Sequence, residues 1–412
     1  MRAASLRAGF IALVDAAPLI VAREVGFAEE EGLALELTRA PSWSTLRDML
    51  VFGQIEAAHM LSVLPVAMAM GLSGGAGQVG AGQGGDGQGG GGPGGAARID
   101  ALQVLSVNGN SIGLSRPLAD RLRGRGHPFD FRDATAAGRA LIAATSTRLR
   151  IGVPFPFSMH AELLYHWLGA LGVTAPQALD VVTVPPPLMA RAMAANEIDA
   201  FCVGAPWGSI AVEQGVGELL LPGTAIRAFA PEKVLAARHD WTAAEPELTA
   251  RLMRALWRAG RWISRPENHV TVSEILSRPA YLDLPAEVIE RSLSGRLVIS
   301  PRGEVRQVEG YLEFFKGAAG YPWRSQGALI AHALAARLGL DRGAAIAAGR
   351  GVFRTDLYRA NLRDLGAELP AAAEKIEGGM TTPTAVASES GSLILGPDRF
   401  FDGYVFDPDQ LG

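Results

Sequence analysis

A short phrase that occurs twice constrains the fold of this chain more than any other feature. Residues 53–65 read GQIEAAHMLSVLP, and residues 196–207 read NEIDAFCVGAPW. Both copies place Ile, an acid and Ala in the same order, followed by an apolar strand, a small residue and Pro. We interpret the copies as equivalent parts of two similar lobes, and a cleft between two lobes is a common place to bind a small ligand.

Predicted strands and helices alternate around both copies of the phrase. The strands are predicted at residues 6–13, 33–37, within 53–65, and at 101–107, 150–155, 181–184, 198–203 and 230–235, and the helices at 16–30, 42–50, 160–171 and 187–195. Such alternation is typical of a parallel sheet covered by helices. The predicted fold class is therefore α/β, and ligands of open parallel sheets bind at the carboxyl ends of the strands.

The two α/β units divide the chain into three segments. Lobe I is predicted at 1–112 and lobe II at 113–235, while 236–412 is predicted to complete lobe I with helices and to end in a tail. A tract of Gly, Gln and Ala at 71–97 has almost no apolar mass, so we expect a flexible insertion in lobe I. Its GxGxxG match at 75–80 follows a helix rather than a strand, which argues against a nucleotide site.

Composition and charge exclude several partners. The formal net charge is −4 and no basic stripe is present, so we expect no direct contact with nucleic acid. Cys202 is the single cysteine, which excludes an intrachain disulfide and favours an inert buried thiol. No apolar run reaches the ~18–20 residues of a membrane span. No basic and apolar leader precedes the predicted first strand, so we expect a cytoplasmic protein.

Motifs of common enzymes are absent from the sequence. It contains no HExxH, no Walker A phrase, no GxSxG and no cluster of Cys and His with metal-ligand spacing. We therefore expect no catalytic residue, no metal and no cofactor, and we do not expect an enzyme.

Four side chains that donate hydrogen bonds fall near predicted strand ends: Trp43, Asn110, His160 and Lys233. Taken singly, these side chains have simpler interpretations. The tryptophan can belong to the core, the asparagine to a turn, the histidine to a structural hydrogen bond, and the lysine to the solvated surface. Taken together, they predict a site for a small anion, because a buried anion needs a cation and several donors. We expect Trp43 on one lobe and His160 and Lys233 on the other.

Ordered phrases along the chain resemble the nitrate- and bicarbonate-binding family of ABC-transporter solute receptors and its cytoplasmic relatives, the NasS-type nitrate sensors. The matching phrases are GFI at 9–11, DAAPL at 15–19, PSW at 41–43, AAHML at 57–61, NGN at 108–110, VPPP at 184–187, DAFCVG at 199–204 and PEKVL at 231–235. The resemblance extends from about residue 6 to at least residue 300, and the FFDG phrase at 400–403 is similar to the tail of the family.

The resemblance implies a type II periplasmic-binding-protein-like fold that closes on an oxyanion. It also implies ligand contacts from Trp43, Asn110, His160 and Lys233. Bicarbonate receptors of this family carry an acid at the lysine position and use calcium, so Lys233 implies nitrate or nitrite. Asn110 departs from the family, which has glutamine there, and the shorter side chain changes the contact at that position.

The resemblance further implies a cytoplasmic nitrate or nitrite sensor that controls nitrate assimilation genes. The ligand-free sensor would hold an RNA-binding antiterminator protein of the NasT type and release it when the ligand binds. The alternative is the solute-binding component of a nitrate ABC transporter. A third hypothesis is an enzyme on the same fold, such as a thiamin-pyrimidine synthesis protein, for which Cys202 in a buried strand is a poor nucleophile.

Overall fold

The computed structural model describes residues 3–73, 97–145, 148–174, 178–389 and 391–410. Nearly all of the predicted Gly-rich insertion at 71–97 lies outside the described residues. Among the described helices, none combines the length and the apolar character needed to cross a membrane.

The strands are short and are distributed along the whole chain. In chain order they are β1 (Ala4–Phe10), β2 (Leu33–Arg39), β3 (Ala57–Leu61), β4 (Ile99–Asn108), β5 (Asn110–Ser115), β6 (Leu149–Val153), β7 (Leu179–Thr183), β8 (Ala200–Gly204), β9 (Gly217–Pro222), β10 (Pro231–Arg238), β11 (Arg296–Val298), β12 (Val305–Gln307), β13 (Leu312–Glu313), β14 (Thr384–Ser388) and β15 (Gly391–Leu395).

The α-helices connect these strands and cover the faces of the sheets. In chain order they are α1 (Ala17–Glu24), α2 (Phe27–Glu30), α3 (Trp43–Val51), α4 (Val63–Ala69), α5 (Arg116–Gly124), α6 (Ala134–Ala144), α7 (Met159–Ala170), α8 (Met189–Ala194), α9 (Trp207–Glu213), α10 (His239–Ala244), α11 (Pro246–Ile263), α12 (His269–Ser277), α13 (Ala286–Ser294), α14 (Arg324–Leu338), α15 (Arg342–Val352) and α16 (Thr355–Leu362).

Two sheets with the same strand arrangement form the two lobes. The first has the order β13-β4-β10-β3-β1-β2, and the second has the order β7-β6-β8-β5-β9. In each, the strand next to one edge pairs in parallel with both of its neighbours, β1 with β2 and β3, and β6 with β7 and β8. An antiparallel strand then follows on one side, β10 beside β3 and β5 beside β8. The predicted architecture of two α/β lobes is confirmed.

The acid of the repeated phrase fastens the first strand of each lobe. In lobe I, the backbone N–H of Arg7 donates to a carboxylate oxygen of Glu56 at 2.7 Å, and the guanidinium of Arg7 pairs with the same group. In lobe II, the backbone N–H of Arg150 donates to Asp199 at 3.1 Å, and its Nε donates to Asp199 at 3.0 Å. The acids are therefore scaffold, since both join the start of the third strand to the first strand.

The isoleucine of each copy packs over a glycine in the neighbouring strand. A Cβ added to Gly9 would lie 2.7 Å from Ile55 Cδ1, and a Cβ added to Gly152 would lie 2.8 Å from Ile198 Cδ1. Real Cβ atoms do not approach other atoms so closely, so both strands need glycine where the isoleucine packs. The duplicated phrase thus encodes the same packing contact in both lobes.

The chain crosses between the lobes through two connections that lie side by side. The first joins β4 to β5 at Gly109, whose φ of +89° is in the region that favours glycine. The second joins β9 to β10. The side chain of Asn108 fastens the two together, since its amide donates to Ala228 O at 2.9 Å and its oxygen accepts from Ala230 N at 2.9 Å.

Strand membership differs from the predicted lobe boundaries at these crossings. β5 begins within the segment predicted as lobe I (1–112) but lies in the second sheet, and most of β10 falls in the segment predicted as lobe II (113–235) but lies in the first sheet. The expectation that Lys233 shares a lobe with His160 is therefore wrong. The physical reason is that β10 is buried and finds hydrogen-bonding partners on both sides, β3 and β4.

Candidate anion-binding site

The first turn of α3 carries Trp43 into the space beside β10. Ser42 caps this helix, because its hydroxyl oxygen accepts a hydrogen bond from Thr45 N at 3.2 Å. Trp43 is 1% exposed, and the ammonium nitrogen of Lys233 lies 5.5 Å from its ring centroid. The tryptophan therefore forms an aromatic wall next to a buried cation.

The first turn of α7 positions His160 from the other lobe. The Ser158 hydroxyl accepts from Ala161 N at 3.3 Å and donates to Phe155 O at 2.6 Å, so it anchors the start of the helix. His160 is fully buried, and its Nδ1 lies 3.3 Å from Glu232 Oε1 without forming a hydrogen bond.

Lys233 lies on β10 at the centre of the cluster, with no solvent exposure. Its ammonium donates to Asp15 Oδ2 and to Glu232 Oε1, both at 2.8 Å. His59 Nε2 lies 2.9 Å from Asp15 Oδ1, and it must be the donor because an ionised carboxylate can only accept. A buried lysine is thus held between two carboxylates, which is the pairing that buried charges require.

Asn110 and Gly204 form the side of the cluster contributed by β5 and β8, where they are paired residues. The amide nitrogen of Asn110 donates to Glu232 Oε2 at 2.7 Å. A Cβ on Gly204 would lie 3.5 Å from His160 Nε2 and 3.7 Å from Asn110 Oδ1. The missing side chain therefore leaves room beside these two polar groups, at a point where an added Cβ would also lie 3.2 Å from Leu13 Cδ2.

Several polar atoms of this cluster are buried without a hydrogen-bond partner within the described part of the chain. They are Trp43 Nε1, His59 Nδ1, Asn110 Oδ1 and both ring nitrogens of His160. Buried polar groups are normally paired, so a concentration of unpaired ones around a buried lysine requires an explanation. A small ligand rich in acceptor oxygens would supply partners for the indole and imidazole N–H groups.

The charge states of the cluster follow from burial and from the ion pairs. Burial opposes the ionisation of Asp15, but the charge of Lys233 and the hydrogen bonds from Lys233 and His59 outweigh it, so the pKa of Asp15 lies below its usual range. Burial would lower the pKa of Lys233, but the two carboxylates raise it above its usual value. Burial also lowers the pKa of His59 and lowers that of His160 to about 4. Near neutral pH the lysine is therefore charged and both imidazoles are neutral.

The structure brings together the four residues predicted for the site. Trp43 and Lys233 come from the first lobe, and Asn110 and His160 come from the second. Sequence reasoning missed Asp15, His59 and Glu232 as members of the cluster. Asp15 had an available signal, since it follows β1 at the carboxyl end where ligands of parallel sheets bind. His59 and Glu232 lie within strands and had no such signal.

A cavity of about 580 Å³ lies elsewhere, between α7 and α14. Its walls include Leu163, Leu329 and Phe400, and Arg337 pairs with Glu162 at 2.6 Å along its side. This cavity contains none of the four predicted site residues. We therefore assign the candidate site to the buried cluster around Lys233 and not to this cavity.

Curated relatives and a solved structure match nearly the whole chain. The nitrate import ATP-binding protein NrtC of Synechococcus elongatus is 30% identical over 424 residues, which cover 98% of this chain and 54% of the relative. The nitrate/nitrite binding protein NrtA of Synechocystis is 29% identical over 98% of this chain and 82% of the relative. The chain thus spans about half the length of NrtC and most of NrtA.

One of the solved structures similar to this chain is that of the periplasmic nitrate-binding protein NrtA from Synechocystis PCC 6803. It superposes with a TM-score of 0.81 and 27% identity, over 99% of this chain and 96% of that protein. The predicted periplasmic-binding-protein-like fold is confirmed. A family model described as the NMT1-like family matches residues 2–277, which is more than half of the chain, and the protein therefore belongs to the NMT1-like family.

Proposed function

We propose that this protein binds nitrate or nitrite in the buried cluster around Lys233. The observation that carries the proposal is a fully buried lysine beside N–H groups of Trp43 and His160 that have no partner in the described chain. The similarity to the nitrate/nitrite binding protein NrtA supports the same ligand. The relatives of this kind are binding proteins, which favours a binding protein over an enzyme.

The chemistry of the cluster suits a small planar oxyanion. Nitrate presents several equivalent weak acceptor oxygens, which the indole N–H of Trp43 and a ring N–H of His160 can satisfy. The ammonium of Lys233 is a compact charge that pairs with a small anion, and hydrogen bonds to charged groups are about twice as strong as neutral ones. Gly204 leaves room for the anion to approach β8.

Calorimetry with sodium nitrate tests the ligand assignment. We expect one nitrate per chain and complete loss of binding in Lys233→Glu, because the substitution replaces the cation with a third carboxylate. Gly204→Ala is a gentler variant, since its methyl group would occupy the space beside His160 Nε2, and it should weaken binding more than tenfold. Gly169→Ala on α7 is the matched control, because no atom lies within 4 Å of the added methyl group.

Two results would contradict the ligand assignment or the place of the anion. If neither nitrate nor nitrite produces heat or a thermal shift with the wild-type protein, the ligand is not one of these anions. If Gly204→Ala binds as tightly as Gly169→Ala, the anion does not sit beside β8.

We propose further that the protein acts in the cytoplasm as a sensor that controls nitrate assimilation genes. In this proposal the ligand-free form holds an RNA-binding antiterminator of the NasT type and releases it on nitrate binding. The phrases shared with the NasS-type sensors support this role. The coupling would come from lobe closure, since both lobes supply site residues and a ligand that prefers the closed form shifts the population toward it.

A pull-down tests the sensor role. The antiterminator should copurify with the ligand-free protein and should be released as nitrate is added, with half-release near the nitrate dissociation constant. Lys233→Glu should retain the antiterminator at every nitrate concentration. A complex that is indifferent to nitrate, in a protein that binds nitrate, would rule out the sensor role and leave the ligand assignment intact.

The second candidate is the solute-binding component of a nitrate ABC transporter. The names of the relatives favour it, since NrtC is a nitrate import protein and NrtA a nitrate/nitrite binding protein. Copurification with a membrane permease, and loss of nitrate uptake when the gene is deleted, would favour this role over sensing.

A further inference from the structure

The buried cluster around Lys233 carries a net negative charge before any ligand enters. Lys233 contributes one positive charge, and Asp15 and Glu232 contribute one negative charge each. Glu232 is placed as an ionised carboxylate, because one of its oxygens accepts from Lys233 and the other from Asn110. With neutral imidazoles the sum is one negative charge, among side chains that are at most 2% exposed.

A monovalent anion would raise this buried charge to two negative charges. Like charges in a low-dielectric site repel strongly, and burial of uncompensated charge is costly. A change in the lysine rotamer does not alter the sum. The net charge can return to one negative charge only if a cation enters with the anion or if a group of the site takes up a proton.

His160 is the group best placed to accept a proton. Its Nδ1 is 3.3 Å from Glu232 Oε1, while its Nε2 borders the space beside Gly204. A neutral imidazole has one N–H and can donate to only one of two acceptors. With a carboxylate on one side and an anion on the other, only the imidazolium satisfies both.

We infer that anion binding takes up one proton on His160, and that Glu232 is the residue that makes this proton necessary. The inference rests on the proposed function of the site. The charged groups that act on His160 are Glu232 and Lys233 on β10 and Asp15 in the turn that follows β1. The Cys202 thiol on β8 lies near the same Glu232 and Lys233 charges. Burial raises the pKa of that thiol well above its usual value, so Cys202 adds no charge.

The pH dependence follows from the direction of linkage. In the ligand-free protein, burial lowers the pKa of His160 to about 4, and a bound anion raises it. Between these two values the complex holds more protons than the free protein. The nitrate dissociation constant should therefore increase by up to about tenfold for each pH unit as pH rises through this window.

Proton uptake is measured by nitrate calorimetry of the full chain at about pH 6, in two buffers of different ionisation enthalpy. The slope of the observed enthalpy against the buffer enthalpy should give close to one proton per nitrate. His160→Gln keeps a donor but cannot titrate, so it should reduce the uptake to near zero and remove the pH dependence. Glu232→Gln removes one negative charge and should bind nitrate more tightly at about pH 8 than the wild type does, without proton uptake.

Two control variants separate this inference from its alternatives. His166→Gln lies on the same helix but outside the cluster and should retain full proton uptake. If His59→Gln abolishes the proton uptake and His160→Gln does not, the proton binds to His59 and the inference is wrong. Nitrate binding without proton uptake overturns the inference alone, while the absence of nitrate binding at any pH overturns the proposed function.

Discussion

At the scale of single residues, burial alone does not distinguish functional side chains from structural ones. Trp43 and Trp167 are both at most 1% exposed. The indole of Trp167 donates to Ala134 O at 2.7 Å, while that of Trp43 has no partner in the described chain. The hydrogen-bonding state of the indole therefore separates a tryptophan that stabilises the fold from one that is available to a ligand.

This difference predicts opposite outcomes for the same substitution. Trp43→Phe should weaken nitrate binding by roughly tenfold or more, because a hydrogen bond to a charged group contributes about 1.5–3 kcal/mol. Its effect on unfolding should be limited to lost packing. Trp167→Phe should leave the Ala134 carbonyl unpaired and lower the free energy of unfolding by about 1–3 kcal/mol, with the affinity unchanged. Urea unfolding and nitrate calorimetry on both variants measure the two effects. Unchanged affinity in Trp43→Phe together with weakened binding in Trp167→Phe would contradict this assignment.

At the scale of elements, helix starts carry side chains into the site. α3 places Trp43 in its first turn, and α7 places His160 in its first turn. Both helices have a serine cap whose hydroxyl accepts a backbone N–H, Ser42 and Ser158 respectively. The cap fixes where the first turn begins, and therefore fixes the position of the side chain that the turn presents to the ligand.

The cap of α7 should therefore affect binding as well as stability. Ser158→Ala removes the acceptor for Ala161 N and the donor to Phe155 O, so it should lower stability by about 1 kcal/mol or more and also weaken nitrate binding. Asp341→Ala is the matched control, because Asp341 caps α15 by accepting from Ala344 N at 2.7 Å. It should lower stability to a similar extent and leave the affinity unchanged. Equal affinities in the two variants would show that the start of α7 does not position His160.

At the scale of the whole molecule, the two crossings place Lys233 and His160 on different lobes. β5 leaves the first lobe and β10 returns to it, and Asn108 fastens these connections to each other. The lobes also touch beside the site, where Val14 N donates to Ala205 O at 2.9 Å and Trp207 Nε1 donates to Ala12 O at 2.7 Å. The two lobes therefore meet directly beside the candidate site.

The sequence by itself determined the elements of the fold and most of the candidate site. The period of apolar residues predicted the alternating strands and helices, and the duplicated phrase predicted two similar lobes, because both depend on residues close together in the chain. The four site residues were predicted by their places near strand ends. The NMT1-like family and the fold agree with the resemblance in the phrases.

Only the tertiary structure decided which charges meet. Lys233 and Asp15 are 218 residues apart in the chain, Asn110 and Glu232 are 122 apart, and Asp15 and His59 are 44 apart. No local pattern relates such positions. The contacts of Lys233 and Glu232 depend on β10 inserting between β3 and β4, and the contact of Asp15 with His59 depends on the pairing of β1 with β3. The excess of carboxylates around the lysine, and the proton that this excess requires, follow from that insertion and not from any phrase in the sequence.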